Sequence, residues 1–182
     1  MELTSNFVQV VENVVLHPSF TSAPTFFFSS FVNELFAILP YNIILSGQLL
    51  FHQDPISIAV LTRLFLFIAV PVGVGTTLGS LLIYSLAYFG GKPAINKFGR
   101  YFRFSWESVE KVSSRFKGSW YDEIVFLILR SVPLLPSLPV NAAAGILRMR
   151  LAPYLVLTVA GSIIKMMIMF MIIGLGMESI AP

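Results

Sequence analysis

Residues 124–147 form an apolar stretch holding a single charge, Arg130, and three prolines, Pro133, Pro136 and Pro139, spaced by three. Each proline removes an N–H donor and clashes with the turn before it, so an ordinary helix cannot run through. In a bilayer, irregular backbone is tolerated only where protein buries it or where it lines a wet cavity. A charged side chain at such a break marks a functional site. This stretch admits few folds: it is a broken helix whose freed backbone groups and buried cation must both find partners.

The bilayer as solvent follows from composition. The chain is 56% hydrophobic and 12% charged, with a mean hydropathy of +0.82. Soluble domains carry about a quarter charged residues. The chain therefore reads as an integral membrane protein, and its 182 residues suit one domain, 1–182. There are no cysteines, which excludes disulfides, thiolate metal sites and cysteine nucleophiles. His17 and His52 are isolated, so no metal site and no cofactor are expected. The start, Met1 to Thr4, lacks a basic region, and a cleaved signal peptide is not expected.

The apolar pattern divides the chain. Residues 1–23 form an N-terminal interfacial segment, with Leu3, Phe7, Val10, Val11 and Val14 at helical spacing. The first half is 24–91. Within it, 25–51 is apolar but contains Glu34 and Pro40, while 56–89 is long enough to span, since a crossing needs roughly 20 residues. That span carries one charge, Arg63, and a Gly75/Gly79 pair that admits close helix contact. Gly90, Gly91 and Pro93 are read as its end. Residues 92–123 form a loop crowded with Lys92, Lys97, Arg100, Arg103, Lys111, Arg115 and Lys117. By the positive-inside rule that loop is cytoplasmic, a better reading than nucleic-acid binding. Within it, 105–116 reads as an amphipathic surface helix with Ser105 as N-cap, Gly118 as its stop and a Glu107–Lys111 pair. The second half, 124–182, is the proline-broken stretch followed by a span over 151–177 with one charge, Lys165.

Orientation follows from the charges. With the basic loop inside, 56–89 runs inward. Arg148 and Arg150 follow the broken stretch, so it turns back to the cytoplasm as a re-entrant hairpin, and 151–177 runs outward. The alternative, full crossing by the broken segments, places Arg148 and Arg150 outside. The expected fold is thus all-α: an inverted repeat of two proline-broken re-entrant hairpins, each followed by a long transmembrane helix, plus amphipathic surface helices. Both spans carry a Gly-Ser pair, Gly79-Ser80 and Gly161-Ser162. Such repeats are the architecture of secondary transporters, with the site at the repeat interface.

Several residues carry a family resemblance. Arg130 and Pro133 are followed by Ala144-Gly145, Met149, Tyr154, Thr158 and Gly161-Ser162. Upstream stand Gly75, Gly79, Tyr84, Gly90 and Gly91, and before them Glu34 and Pro40-Tyr41-Asn42. In order and spacing, over roughly residues 32–174, these resemble the DedA superfamily, also called SNARE-associated or VTT-domain proteins. The resemblance implies a lipid-handling membrane protein, since bacterial members are implicated in recycling polyprenyl-phosphate carriers and eukaryotic relatives in scrambling phospholipids. Three family charges are replaced, by Asn42, Pro136 and Ser80. Proton-coupled members are thought to use such charges, so these departures weigh against proton coupling.

The intramembrane charges are Arg130, Arg63 and Lys165 against Glu34. An unpaired charge at mid-membrane costs at least about 2.5 kcal/mol. An anionic lipid headgroup would answer the excess, and a guanidinium fork suits phosphate. Candidate substrate-binding residues are Arg130, Glu34, Lys165, Arg63, Asn42 and Asn141. Glu34 is read as the partner of Arg130, its purpose open between a gating or proton-carrying acid and a structural counter-charge. Arg63 either assists or snorkels to the interface, and Asn42 and Asn141 either bond freed backbone or bind a headgroup. Pro40, Pro133, Pro136, Pro139 and Gly145 shape the hairpins. The leading function is a flippase or scramblase for an anionic lipid, a polyprenyl phosphate or a phospholipid, in the cell membrane. Alternatives are a small-ion or proton-coupled carrier and a non-transporting assembly protein. An enzyme is not expected, because paired intramembrane aspartates and a histidine at depth are both missing. Membrane lipids are the expected partners, and the pattern is compatible with a homo-oligomer.

Overall fold

The computed structural model describes residues 19–36, 57–101, 104–116, 121–133 and 135–178, with side chains as far as 173. The N-terminal interfacial helix, Pro40, Asn42, Gly118 and the rest of the first broken segment lie outside the described residues. The described elements are helices, with no strand among them: α1 (Ala23–Phe36), α2 (Ile58–Leu64), a π-helical turn (Phe65–Ala69), α3 (Val70–Phe98), α4 (Trp106–Ser113), α5 (Tyr121–Ser131), α6 (Ser137–Ile146) and α7 (Leu151–Glu178). The continuous rod Ile58–Phe98 and the segment Leu151–Ile173 are long and apolar enough to cross a membrane.

The prolines mostly start helices. Pro24 and Pro153 sit in the first turns of α1 and α7. The first donors of a helix have no intrahelical acceptor, so a missing N–H there costs nothing. Pro139 belongs to this group. The expectation that all three prolines break the helix is corrected for it: Pro136 is the N-cap of α6, and Pro139 lies inside its first turn. The break itself falls between Ser131, the end of α5, and Ser137, the start of α6. Pro71 acts differently, because the helix continues on both sides of it. The N–H of Val70, just before it, reaches back to the Phe65 carbonyl, and the turn widens to π geometry there. A proline removes a donor from the ladder, and a widened turn is one way to accommodate it.

The helix also runs past the glycine pair read as its end. Gly91 adopts φ 56°, ψ −151°, a conformation closed to residues with a Cβ, and the chain changes direction there before resuming through Pro93 to Phe98. Gly91→Ala is expected to lower stability by at least about 1 kcal/mol, read as a lower thermal midpoint in detergent. Beyond this bend, Ile95 and Phe104 join Val109 of α4 in a core with Ile83, Ala87, Leu138, Ala142 and Ala143. The amphipathic helix α4, capped by reciprocal Ser105–Ser108 bonds, thus packs on α6 through its apolar face. Glu107 and Lys111 do not pair with each other.

Cross-contacts fix the relative directions of the helices. Along α1, Ser30 donates to the Val72 carbonyl at 3.2 Å, and Glu34 lies against Gly79, so α1 and α3 run the same way. Ile163 lies against Gly73 and Tyr154 bonds Ser80, so α7 opposes α3. Phe126 meets Tyr154, and Arg130 meets Gly161, so α5 runs with α7. Asn141 meets Glu34 near Gly79, and Gly145 meets Tyr84 and Ala87, so α6 runs with α3. The chain therefore reverses between α5 and α6, at the prolines. The reversal lies beside Lys165, which bonds the Leu135 carbonyl. That point is about 20 Å along α7 from Leu151, roughly half-way down the helix.

Candidate functional site

The approach of α1, α5, α6 and α7 to one level gathers the charged side chains. Arg130, on the last turn of α5, is 2% exposed. Its Nη1 donates to Glu34 Oε1 at 3.1 Å, and Asn141 Nδ2 donates to the same oxygen at 2.9 Å. Asn141 is fully buried on α6. One turn along α7 from Gly161, Lys165 is 9% exposed and donates from Nζ to the Leu135 carbonyl at 3.1 Å. That carbonyl lies in the break between α5 and α6. Lysine 165 thus satisfies part of the backbone that the prolines freed.

Two glycines make this approach possible. A Cβ on Gly79 would stand 3.0 Å from Glu34 Cβ and 2.8 Å from the Phe31 carbonyl. A Cβ on Gly161 would stand 2.8 Å from Arg130 Cβ and 2.7 Å from its Cγ. Each Gly-Ser pair of the sequence thus puts its glycine under one member of the ion pair.

The hydrogen bonding of the layer is incomplete. Arg130 Nε and Nη2, Asn141 Oδ1 and Ser162 Oγ are buried and find no partner among the described residues. Buried polar groups are normally paired, and each such exception calls for an explanation. Nε and Nη2 together form the side-on edge of the guanidinium fork, the edge that takes two oxygens of one oxyanion. Glu34 occupies only the remaining corner, Nη1. Arg130 and Lys165 against Glu34 leave this layer one positive charge in excess.

Apolar clusters close the layer on both sides. Phe26, Leu64, Ile68, Ala69, Val72, Met166 and Phe170 pack beyond Lys165. Towards the basic end stand Tyr84, Phe126, Val140, Ala144 and Tyr154. Tyr154 is fully buried, stacks on Tyr84 at 4.3 Å between ring centres, and donates to Ser80 at 3.0 Å. Tyr84 donates in turn to the Met149 carbonyl.

The structure brings together Glu34, Arg130, Asn141 and Lys165. It leaves Arg63 apart: that side chain is exposed on α2 and takes no part in the buried layer. Pro133 and Pro136 bound the break, and Gly145 lets α6 lie against Tyr84 and the backbone of Tyr88. The hydroxyl partners were not picked out from the sequence as site residues, although their spacing signals them. Tyr154, Thr158, Ser162 and Lys165 recur every three or four residues on α7, as do Thr77, Ser80 and Tyr84 on α3. Those are polar stripes on single helix faces in otherwise apolar helices.

The described residues are helical, with two membrane-length apolar helices and a buried charged layer, as a membrane-associated protein has. The family model of the VTT domain matches residues 53–175, and the chain belongs to that family, the domain of the DedA/SNARE-associated proteins. The matched range includes Arg130, Asn141 and Lys165 and leaves Glu34 outside it. No curated protein and no solved structure gave a match.

Proposed function

We propose that this protein is a lipid transporter of the flippase or scramblase type, which carries the headgroup of an anionic lipid, a polyprenyl phosphate or a phospholipid, across the cell membrane. The observation that carries the reading is the unpartnered side-on edge of Arg130, buried in a layer with one excess positive charge. Leaving such donors unmade is expensive unless something arrives to use them. A phosphate supplies two oxygens to that edge and neutralises the layer. Lys165 lies close enough along α7 to assist once it releases Leu135.

The path follows from the topology. In this reading α5 and α6 form a re-entrant hairpin from the basic, cytoplasmic face, and α1 opens its counterpart from the other side. The support is the pairing of directions: α1 runs with α3, α5 runs with α7, and the two pairs oppose each other. The placement of Gly79 and Gly161 under Glu34 and Arg130 repeats the same device in both halves. An inverted repeat of this kind sets the site at mid-membrane between the halves. The shared oxygen of Glu34 holds both Arg130 and Asn141, which suits a positioning carboxylate better than a proton carrier.

Reconstituted headgroup translocation tests the reading. Arg130→Ala is expected to slow flipping of an anionic lipid by about tenfold or more, as for loss of a charge-assisted hydrogen-bonded contact. Arg130→Lys, which keeps the charge but not the fork, is expected to recover only part of it. Equal rates for wild type and both variants would sink the proposal and favour an assembly role.

A further inference from the structure

The turn between α6 and α7 has a feature the buried layer does not use. Arg148 is the only non-glycine residue with positive φ among those described, at 51°. It occupies the position after a helix end where glycine is the usual choice, because a Cβ there crowds the following carbonyl. The turn is firmly built. Leu147, Arg148 and Met149 donate back to Ala143, Gly145 and Ala144 at 2.9, 3.0 and 3.0 Å. The Met149 carbonyl takes the Tyr84 hydroxyl. The direction in which the Arg148 side chain leaves the backbone is therefore set by the turn.

Its surroundings are those of an anion-binding arm. The guanidinium lies 5.6 Å from the centre of the Tyr88 ring, a cation–π distance, so one face is supported and partly desolvated. Arg148 is exposed, and among the described residues its side chain makes no ion pair or hydrogen bond. Its neighbour Arg150, by contrast, is tied to Glu123 at 3.4 Å. Tyr88 stacks on Tyr84 at 5.7 Å, and Tyr84 on Tyr154, whose hydroxyl reaches Ser80 beside Gly79 and Glu34. A column of tyrosines thus joins the exposed arginine to the buried ion pair.

We infer that Arg148, at cation–π distance from Tyr88, docks the phosphate of an anionic lipid at the basic end of the protein. The inference takes from the proposed function only that this end faces a lipid leaflet. A residue that merely ends α6 would be replaced by glycine with a gain in backbone comfort. A docking residue would not. The left-handed backbone at 148 carries strain that a glycine would not, and it presents an exposed guanidinium there. The lipid is held where its headgroup meets the foot of the tyrosine column, and Tyr84 and Tyr154 stand between it and Arg130.

Arg148→Gly separates the two roles. In a neutral detergent its melting temperature is expected to equal or exceed that of the wild type, because the strain is relieved. Its affinity for short-chain phosphatidic acid, read by thermophoresis, is expected to fall by about tenfold, the loss of one charge-assisted contact. Arg148→Lys should fall between. The same loss is expected in an Arg130→Gln background, where the buried site is disabled, so failure of the buried site does not hide the result. Wild-type affinity in Arg148→Gly would reduce Arg148 to a helix end and overturn the inference. Inorganic phosphate is expected to compete weakly. Competition as strong as that of the lipid would point to a free-phosphate site and overturn the lipid assignment.

Discussion

Replacing Glu34 by alanine is expected to destabilise the protein by about 3–5 kcal/mol, the cost of leaving a buried charge without its partner. The carboxylate is the acceptor for both Arg130 and Asn141, so its loss orphans two buried donors at once. Arg130 would then have no acceptor on any corner, since Nε and Nη2 already lack one. Arg130→Met is expected to cost a comparable amount by stranding the carboxylate. The double variant Glu34→Leu/Arg130→Met is expected to recover most of the loss, because a buried ion pair replaced by apolar groups of similar volume is often neutral or stabilising. Reversible unfolding in mixed micelles measures all three. A double variant as unstable as either single one would mean that the pair holds the fold together. Recovery of stability with loss of lipid translocation would show that the pair is kept for its chemistry.

The sequence carried much of this layer and missed particular parts of it for physical reasons. The spans were legible because a long apolar run has few alternatives, and the break was legible because prolines at 133 and 136 cannot share an α-helical ladder. The Glu34–Arg130 pairing was legible by charge balance, since Glu34 is the only acid in the apolar stretches. Pro139 was misread because a proline's effect depends on where the next helix starts, and Pro136 as N-cap moves it into a harmless first turn. The π turn before Pro71 escaped because strand and helix periods say nothing about how one missing donor is absorbed. The role of Asn141 depends on α6 meeting α1, a long-range approach that Gly79 and Gly145 permit but do not announce. Arg63 and Lys165 are each the lone cation of a span, and Lys165, the deeper of the two, is the harder to snorkel. Burial separates them: one lies on an exposed face, the other at the break.

Gly161→Val tests whether close packing sets the position of Arg130. Its Cβ would come within 2.8 Å of Arg130 Cβ and 2.7 Å of Cγ, the stem of the side chain and not its flexible end. The stem is anchored to α5, so relief requires α5 to move away from α7 or Arg130 to leave its rotamer. Overpacking of this kind costs about 2–3 kcal/mol. It also shifts the guanidinium relative to Glu34, so translocation is expected to fall with stability. Gly73→Ala provides the contrast on the facing helix. Its new methyl would meet Ile163 Cγ1 at 2.8 Å, an apolar side chain that carries no part of the ion pair, and the next contact, the Val159 carbonyl, is at 3.4 Å. A smaller stability loss and near-normal translocation are expected there. If the two substitutions behave alike, helix spacing in general matters and not the seat of Arg130. If only Gly161→Val disables translocation, and a second-site change on α5 that restores the spacing also restores activity, the small residue at 161 is part of the site because it fixes where the positive charge stands.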